Sequence, residues 1–302
     1  PLKDSFLTMR TTVNGQLLLV QLMEEICETI PGARPVMVNT DGGEIIFPKE
    51  YEHLYDKICK EWEDQTDLIL EYEYYDKLII WDVNNYIGIF KSYEISYKKA
   101  QKLFKKEYPK PLIKLVDGKY YHHPVKCKGR FEVNKALHKN KSYRIKAIAV
   151  YNYFVHGVDP EKTLKNHRNI YDFCAGVRAK GAWKIKQTCI KNGDIYDEDT
   201  QKTVRYYVSH KGCKLVKKLT QVVEEDHSIY NNKGEVTKSY LKGDIIKKQS
   251  KVEAANVLEQ VAITIDPKKK FEDYDINYDF YMRLIRKEIQ TVEPTNVQQN
   301  LF

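Results

Sequence analysis

A chain of 302 residues, 42% apolar and 30% charged, can bury one large or two ordinary cores and is too apolar for a disordered protein. No apolar run approaches the ~20 residues of a bilayer span and no secretory pattern precedes the first element, which points away from a membrane and toward the cytoplasm. The net charge of +8 is unevenly spread: residues 41–76 hold 12 Asp/Glu against 3 Lys/Arg, and residues 91–149 hold 17 Lys/Arg against 4 Asp/Glu. Such a pairing suits a protein that holds a metal at one point and a polyanion at the next, although charge runs are more often solvated faces.

In chain order, residues 11–30 have helical apolar spacing, with Leu17, Leu18, Val20, Leu22, Met23, Ile26 and Ile30 on a broad face. "PGARP" ends this helix, and "VMVNTDGGEIIF" (36–47) reads as a hairpin whose Asp-Gly suits a tight primed turn. Residues 50–64 read as a helix again. Residues 68–90 alternate and are rich in β-branched and aromatic residues, as consecutive strands are. Together these elements predict an α+β fold in which a small antiparallel sheet carries helices on one face. After about residue 95 the chain turns basic and helical, with an interruption at "VDGKYYHHPVKCKGRFE". A helix is expected over 141–156, and Asp159-Pro160 starts another. Residues 181–249 read as strands broken by "KNGD", "NNKG" and "LKGD", and a final helix opens at Asn277. The tail after Glu293-Pro294 has no apolar period.

Six scattered cysteines (Cys27, Cys59, Cys127, Cys174, Cys189, Cys213) form no close pair, which argues against a zinc site or a disulfide framework. His122-His123 lacks a third ligand at useful spacing and reads as loop. Three stretches in fixed order carry candidate chemistry: the Thr40-Asp41 hairpin, "VNNYIGIF" (83–90) and "KCKGRFE" (126–132). Each has a plain reading as well. Asp41 suits a turn, Asn84-Asn85 a surface hairpin, and the lysine-glycine cluster a solvated face.

Taken together, these stretches resemble the C-terminal half of a family B DNA polymerase of the kind phages encode, with "TTVNGQLLLVQLMEEI" similar to the helix before its palm hairpin. The resemblance covers the chain to about residue 175 well and the rest loosely. It implies a palm portion over 1–95, a mainly helical thumb over 96–290 with a β-rich extension at 181–270, and a flexible tail over 291–302. Asp41 falls on the metal-binding position of the hairpin, and the implied cofactor is a pair of Mg²⁺ ions. Asn84, Asn85, Tyr86 and Gly88 fall on the strand that reads the primer-template minor groove. Lys126, Lys128, Gly129 and Arg130 fall on the segment that grips the primer. The chain departs from the family pattern at Asn39, usually Asp, and at Asn84 and Asn85, usually lysines, so charge there must come from the 91–149 stretch.

The family's second metal-binding Asp and its nucleotide-binding helix precede the segment that starts this chain, and one carboxylate cannot hold two metals. The chain begins at Pro1 without a methionine, so either the initiator was removed or the chain is part of something longer; the missing family parts imply a split subunit or a piece of a longer enzyme, completed by an N-terminal polymerase half. The expected partners are therefore a DNA primer-template, that N-terminal half, and a sliding clamp. The clamp would be reached through Gln298, Leu301 and Phe302, whose Gln-x-x-Leu-Phe spacing resembles a clamp-binding peptide. Two other readings stay open: a non-catalytic DNA-binding or tethering protein derived from such a polymerase, and an unrelated nuclease. The nuclease would need two or three further carboxylates to converge on Asp41, for which Glu44 and Glu73 are the nearby candidates.

Overall fold

In the computed structural model, residues 4–105, 110–134, 142–191, 194–210, 214–251, 259–262 and 269–293 are described. The first helix, α1 (Ser5–Thr29), opens on Asp4, whose Oδ1 accepts the N–H groups of Phe6 and Leu7 at 3.0 Å each. It ends where Pro31 forbids a further helical turn and Gly32 takes φ +76°. Strands β1 (Arg34–Val38) and β2 (Gly43–Ile46) form the expected hairpin. Then α2 (Glu52–Thr66) packs on α1, burying Leu22, Ile26, Ile30, Ile58, Cys59 and Trp62 together. At ~1.5–3 kcal/mol for each fully buried large apolar side chain, this cluster is the main stabiliser of the α1–α2 pair. The Trp62 indole also donates to the Leu18 carbonyl at 3.1 Å.

Of the 68–90 stretch only β3 (Tyr75–Asp82) and β4 (Asn85–Phe90) are strands; residues 68–74 are not. After β5 (Tyr93–Ile95), the helix expected beyond residue 95 forms as α3 (Tyr97–Phe104), but it is short. The chain then forms β6 (Leu112–Val116), where helix was expected, and, within the expected interruption, β7 (Lys119–His123) and β8 (Val125–Cys127). The reason lies at Asp117-Gly118, which take φ 48° and 78° and join Val116 to Lys119 as the two central residues of a primed turn. Two three-stranded antiparallel sheets result, ordered β3-β4-β8 and β5-β7-β6.

Contacts divide the chain into one unit of Pro1–Lys102 with Pro111–Arg130, and another of Leu103–Lys110 with Phe131–Phe302. The expected boundary at residue 95 is displaced because β8 hydrogen-bonds to β4 and carries 111–130 back into the first unit.

In the second unit α4 (Arg144–His156) ends at Gly157, φ +66°. As expected, α5 (Pro160–Asn166) starts on Asp159, whose Oδ1 accepts from Glu161 N at 2.8 Å and Lys162 N at 3.3 Å. A β-rich stretch follows: β9 (Ala175–Arg178), β10 (Trp183–Lys191), β11 (Asp194–Asp199), β12 (Thr203–Ser209), β13 (Lys214–Val222), β14 (His227–Tyr230), β15 (Val236–Tyr240), β16 (Ile245–Lys251) and β17 (Glu259–Ala262). These form sheets ordered β11-β10-β13-β16, β17-β12-β9 and β14-β15. Gly234 and Gly243 supply positive φ in the "NNKG" and "LKGD" turns, and the "KNGD" turn lies partly outside the described residues. Helix α6 (Tyr278–Val292) opens on Asn277, whose Oδ1 accepts from Phe280 N at 3.0 Å. Among the described residues of this unit strands outnumber helices, so it is not mainly helical; the α+β class holds for the chain.

The second unit's core is aromatic, with Tyr143, Phe173, Tyr206 and Tyr281 in edge contacts. The Tyr281 hydroxyl donates to the Phe173 carbonyl at 2.7 Å and accepts from Val208 N at 2.9 Å. Buried Asp172 takes Arg144 on one oxygen at 3.1 Å and His167 on the other at 2.7 Å, so its charge is compensated where solvent cannot do so. No helix among the described residues is long and apolar enough to cross a membrane.

Candidate nucleic-acid interface

Strand β4 is the scaffold of the site. It pairs with β8 in the register Ile87↔Cys127, Gly88↔Lys126 and Ile89↔Val125, so the two motifs noted in the sequence lie side by side. Lys128 N extends the ladder by donating to the Tyr86 carbonyl at 2.9 Å. The backbone then turns at Gly129, φ +65°, where a Cβ would stand 2.2 Å from the Asn84 carbonyl oxygen and 2.4 Å from Asn85 Oδ1. Only glycine meets both demands.

Asn85 locks this turn. Its Oδ1 accepts Arg130 N at 2.8 Å, and its Nδ2 donates to both Asp82 oxygens at 2.8 and 2.9 Å. Those bonds, Asn85 first, hold the Asp82 carboxyl below its ordinary range. Gly88 lies under the Tyr75 ring, whose Cε1 would be 2.4 Å from an added Cβ, and Tyr75 stacks on Phe90 with centroids 4.6 Å apart. Tyr86 is only 3% exposed. Tyr86 and Gly88 are buried and Asn85 is half-buried, and all three help to hold β8 on β4. Asn84 is exposed at the β3–β4 turn.

Around this scaffold gathers a set of charges that the sequence did not announce. The half-buried Lys126 ammonium donates to both oxygens of Glu73, at 2.8 and 2.6 Å, and the Tyr75 hydroxyl donates to the same carboxylate. Burial opposes charge on Glu73, but its bonds from Lys126 and Tyr75 outweigh that and lower its pKa. Burial likewise opposes the Lys126 cation, and the Glu73 bond reverses the balance upward. Burial, the Glu73 hydrogen bond and the neighbouring Tyr86 push the Tyr75 phenol up. Lys128 Nζ sits 5.6 Å from the centroid of the Tyr86 ring. Glu44, on β2, faces the same lysines: burial raises its pKa, Lys126 and Lys128 oppose the rise, and Glu73 adds to it. Glu44 and Glu73 thus feel the charge of the same two lysines, and Glu73 is the one bonded to Lys126. Glu73 and Lys126 are 53 residues apart, a separation at which no local spacing signals the contact.

Asp41 stands apart from this set. The hairpin turn is not the primed turn expected. Asn39 N donates to the Gly42 carbonyl at 2.9 Å, Asn39 Oδ1 accepts Asp41 N at 3.0 Å, and neither Asp41 nor Gly42 has positive φ. The short Asn39 side chain supplies the closure that positive φ would have supplied. Asp41 is exposed, and its carboxylate makes no hydrogen bond or ion pair among the described residues.

As a test of the implied Mg²⁺ pair, one carboxylate offers a single anionic ligand, and no three His, Cys, Asp or Glu side chains converge on a metal position among the described residues. The residues present do not by themselves make a two-metal site. His122 and His123 are not bare loop either: His122 Nδ1 lies 3.2 Å from the Tyr93 hydroxyl, and His123 Nδ1 lies 3.4 Å from Asp76. Gln298, Leu301 and Phe302 lie outside the described residues. Comparison with protein-family models, curated proteins and solved structures finds no match.

Proposed function

We propose that this chain is the C-terminal, duplex-gripping portion of a DNA-dependent DNA polymerase, and that nucleotidyl transfer requires a second polypeptide segment. The observation that carries the reading is the in-register pairing of 85–90 with 125–127. It sets Lys126 on β8 and Lys128 just after it, beside the Asn84 turn, and brings the backbone close at Gly129. A rigid, basic strand edge can hold phosphates without reading sequence, as an enzyme that copies any template requires. In this reading Asp41 offers its exposed carboxylate to a metal centre completed by the other segment. Bound there, Mg²⁺ would stabilise the oxygens of an in-line phosphoryl displacement. The tail peptide Gln298, Leu301 and Phe302 would tether the enzyme to a sliding clamp.

The test is reconstitution. The chain is mixed with a candidate N-terminal half, and primer extension and duplex binding are followed for the wild type and Asp41→Asn. Extension should fall by several orders of magnitude, as expected when a two-metal ligand is removed, while duplex binding is kept. Full extension by the variant would return Asp41 to a turn residue. Absence of duplex binding by the wild type would reject the reading itself. Deleting 298–302 should abolish binding to the clamp without changing thermal stability.

A further inference from the structure

Lys126 is placed to meet a phosphate, yet its ammonium is already held by a carboxylate. Glu73 supplies two oxygens at 2.8 and 2.6 Å, much as a phosphate would. The Tyr75 hydroxyl donates to Oε2 of that carboxylate, one of the two oxygens Lys126 bonds, and Tyr75 is itself seated over Gly88 and stacked on Phe90. Glu44 adds a second negative charge facing Lys126 and Lys128.

We infer that Glu73 is an internal competitor for the nucleic-acid phosphate: it occupies Lys126 in the free protein and is displaced when a duplex binds. The inference rests on the function proposed above and names a regulation of the same site. The displacement is accessible because Lys126 and Glu73 keep side-chain exposures of 40% and 45%, and a pair so exposed is weakly held. Glu73 sits in the chain before β3 and outside any helix or strand, so it can withdraw without breaking a ladder. Its carboxylate makes duplex binding more selective. An isolated anion gains little by displacing Glu73, whereas a phosphate strand that also engages Lys128 and the Gly129 turn gains enough.

The exchange has a thermodynamic signature. A phosphate that meets a bare lysine releases a condensed counterion, and log K falls by ~0.9 per unit of log salt for each such contact. At Lys126 the displaced Glu73 takes up a cation of its own, so the net release is smaller.

The experiment uses fluorescently labelled duplex DNA with a 5′ overhang, titrated at several KCl concentrations with the full chain and three variants. Glu73→Gln keeps the shape and removes the charge. It should tighten binding up to about fivefold at low salt and steepen the salt slope by up to about one unit. Lys126→Ala in the Glu73→Gln background should erase both gains. Glu73→Asp, which keeps the charge but draws it back, should fall between wild type and Glu73→Gln, and it serves if the glutamine variant proves poorly folded by thermal melting. Unchanged affinity and slope in Glu73→Gln and Glu73→Asp, with salt-sensitive wild-type binding, would overturn the competitor while leaving the duplex-grip reading intact. Absence of duplex binding by every form would overturn both.

Discussion

Two carboxylates that share one pair of lysines respond to acid in opposite directions. Glu44 has its pKa raised above the ordinary 4.5 by burial. The folded state therefore binds its proton more tightly than the unfolded state, and stability is lost as pH rises through and above 4.5. Glu73 has its pKa lowered, so its contribution is present above 4.5 and is lost as pH falls below it. The melting-temperature difference between Glu44→Gln and the wild type should accordingly grow in favour of the variant from pH 4 to pH 7. The same comparison for Glu73→Gln should turn against the variant over that range, and melting curves at four or five pH values check both. Gly129 gives a purely steric prediction. An alanine there meets a positive φ and a backbone oxygen at 2.2 Å, whereas Gly118, φ +78°, has nothing within 4 Å of an added Cβ. Gly118→Ala should cost about 1 kcal/mol for its left-handed backbone alone, and Gly129→Ala at least ~2–3 kcal/mol more because a carbonyl cannot step aside. Urea midpoints of the two variants make the comparison.

Among elements, the legible ones carried both a period and a stop. Leu22, Ile26 and Ile30 marked the buried face of α1, Asp159-Pro160 marked the start of α5, and Asn277 the start of α6. The strands β6 to β8 were hidden because each runs for only three to five residues, too few for a period to stand out, and the tyrosines and histidines of β7 come as adjacent pairs rather than in alternation. Their one clear signal is Asp117-Gly118, which makes the primed turn that the same dipeptide at Asp41-Gly42 does not. Asn39 makes the difference, since its side chain can close the loop at 39–42 without any residue entering positive φ. The strands of the candidate site were readable one by one, but their pairing was not, because register between 85–90 and 125–127 is set by long-range packing. Asn85 is the residue that makes this pairing permanent. Asn85→Ala would remove the acceptor of Arg130 N and two of the hydrogen bonds to the Asp82 carboxylate, which would keep the one from Asn84 N. A loss of about 1–3 kcal/mol is expected, with faster amide exchange at Arg130 and Lys128 and unchanged exchange within α1.

For the molecule as a whole, the duplex grip predicts a graded salt response. Lys128→Ala should lower the slope of log K against log KCl by about 0.9, and Lys126→Ala by less, since Glu73 already neutralises it. Equal losses at the two positions would show that Glu73 does not compete for Lys126.

The hydroxyl of Tyr281 has a consequence for biosynthesis. It joins α6 to Phe173 across 108 residues of sequence and to Val208 across 73. On the ribosome the second unit therefore lacks a keystone until residue 281 has cleared the exit tunnel, although its strands up to 262 are already made. Its aromatic core stays unsealed for that interval, a period of exposure to chaperones and proteases that grows with each codon between β17 and α6. A nascent chain arrested before residue 278 should be cut rapidly within 175–262 by a soluble protease. One arrested on a C-terminal linker long enough to carry residue 293 clear of the tunnel should resist, and Tyr281→Phe should resist less because it keeps the ring and removes both bonds.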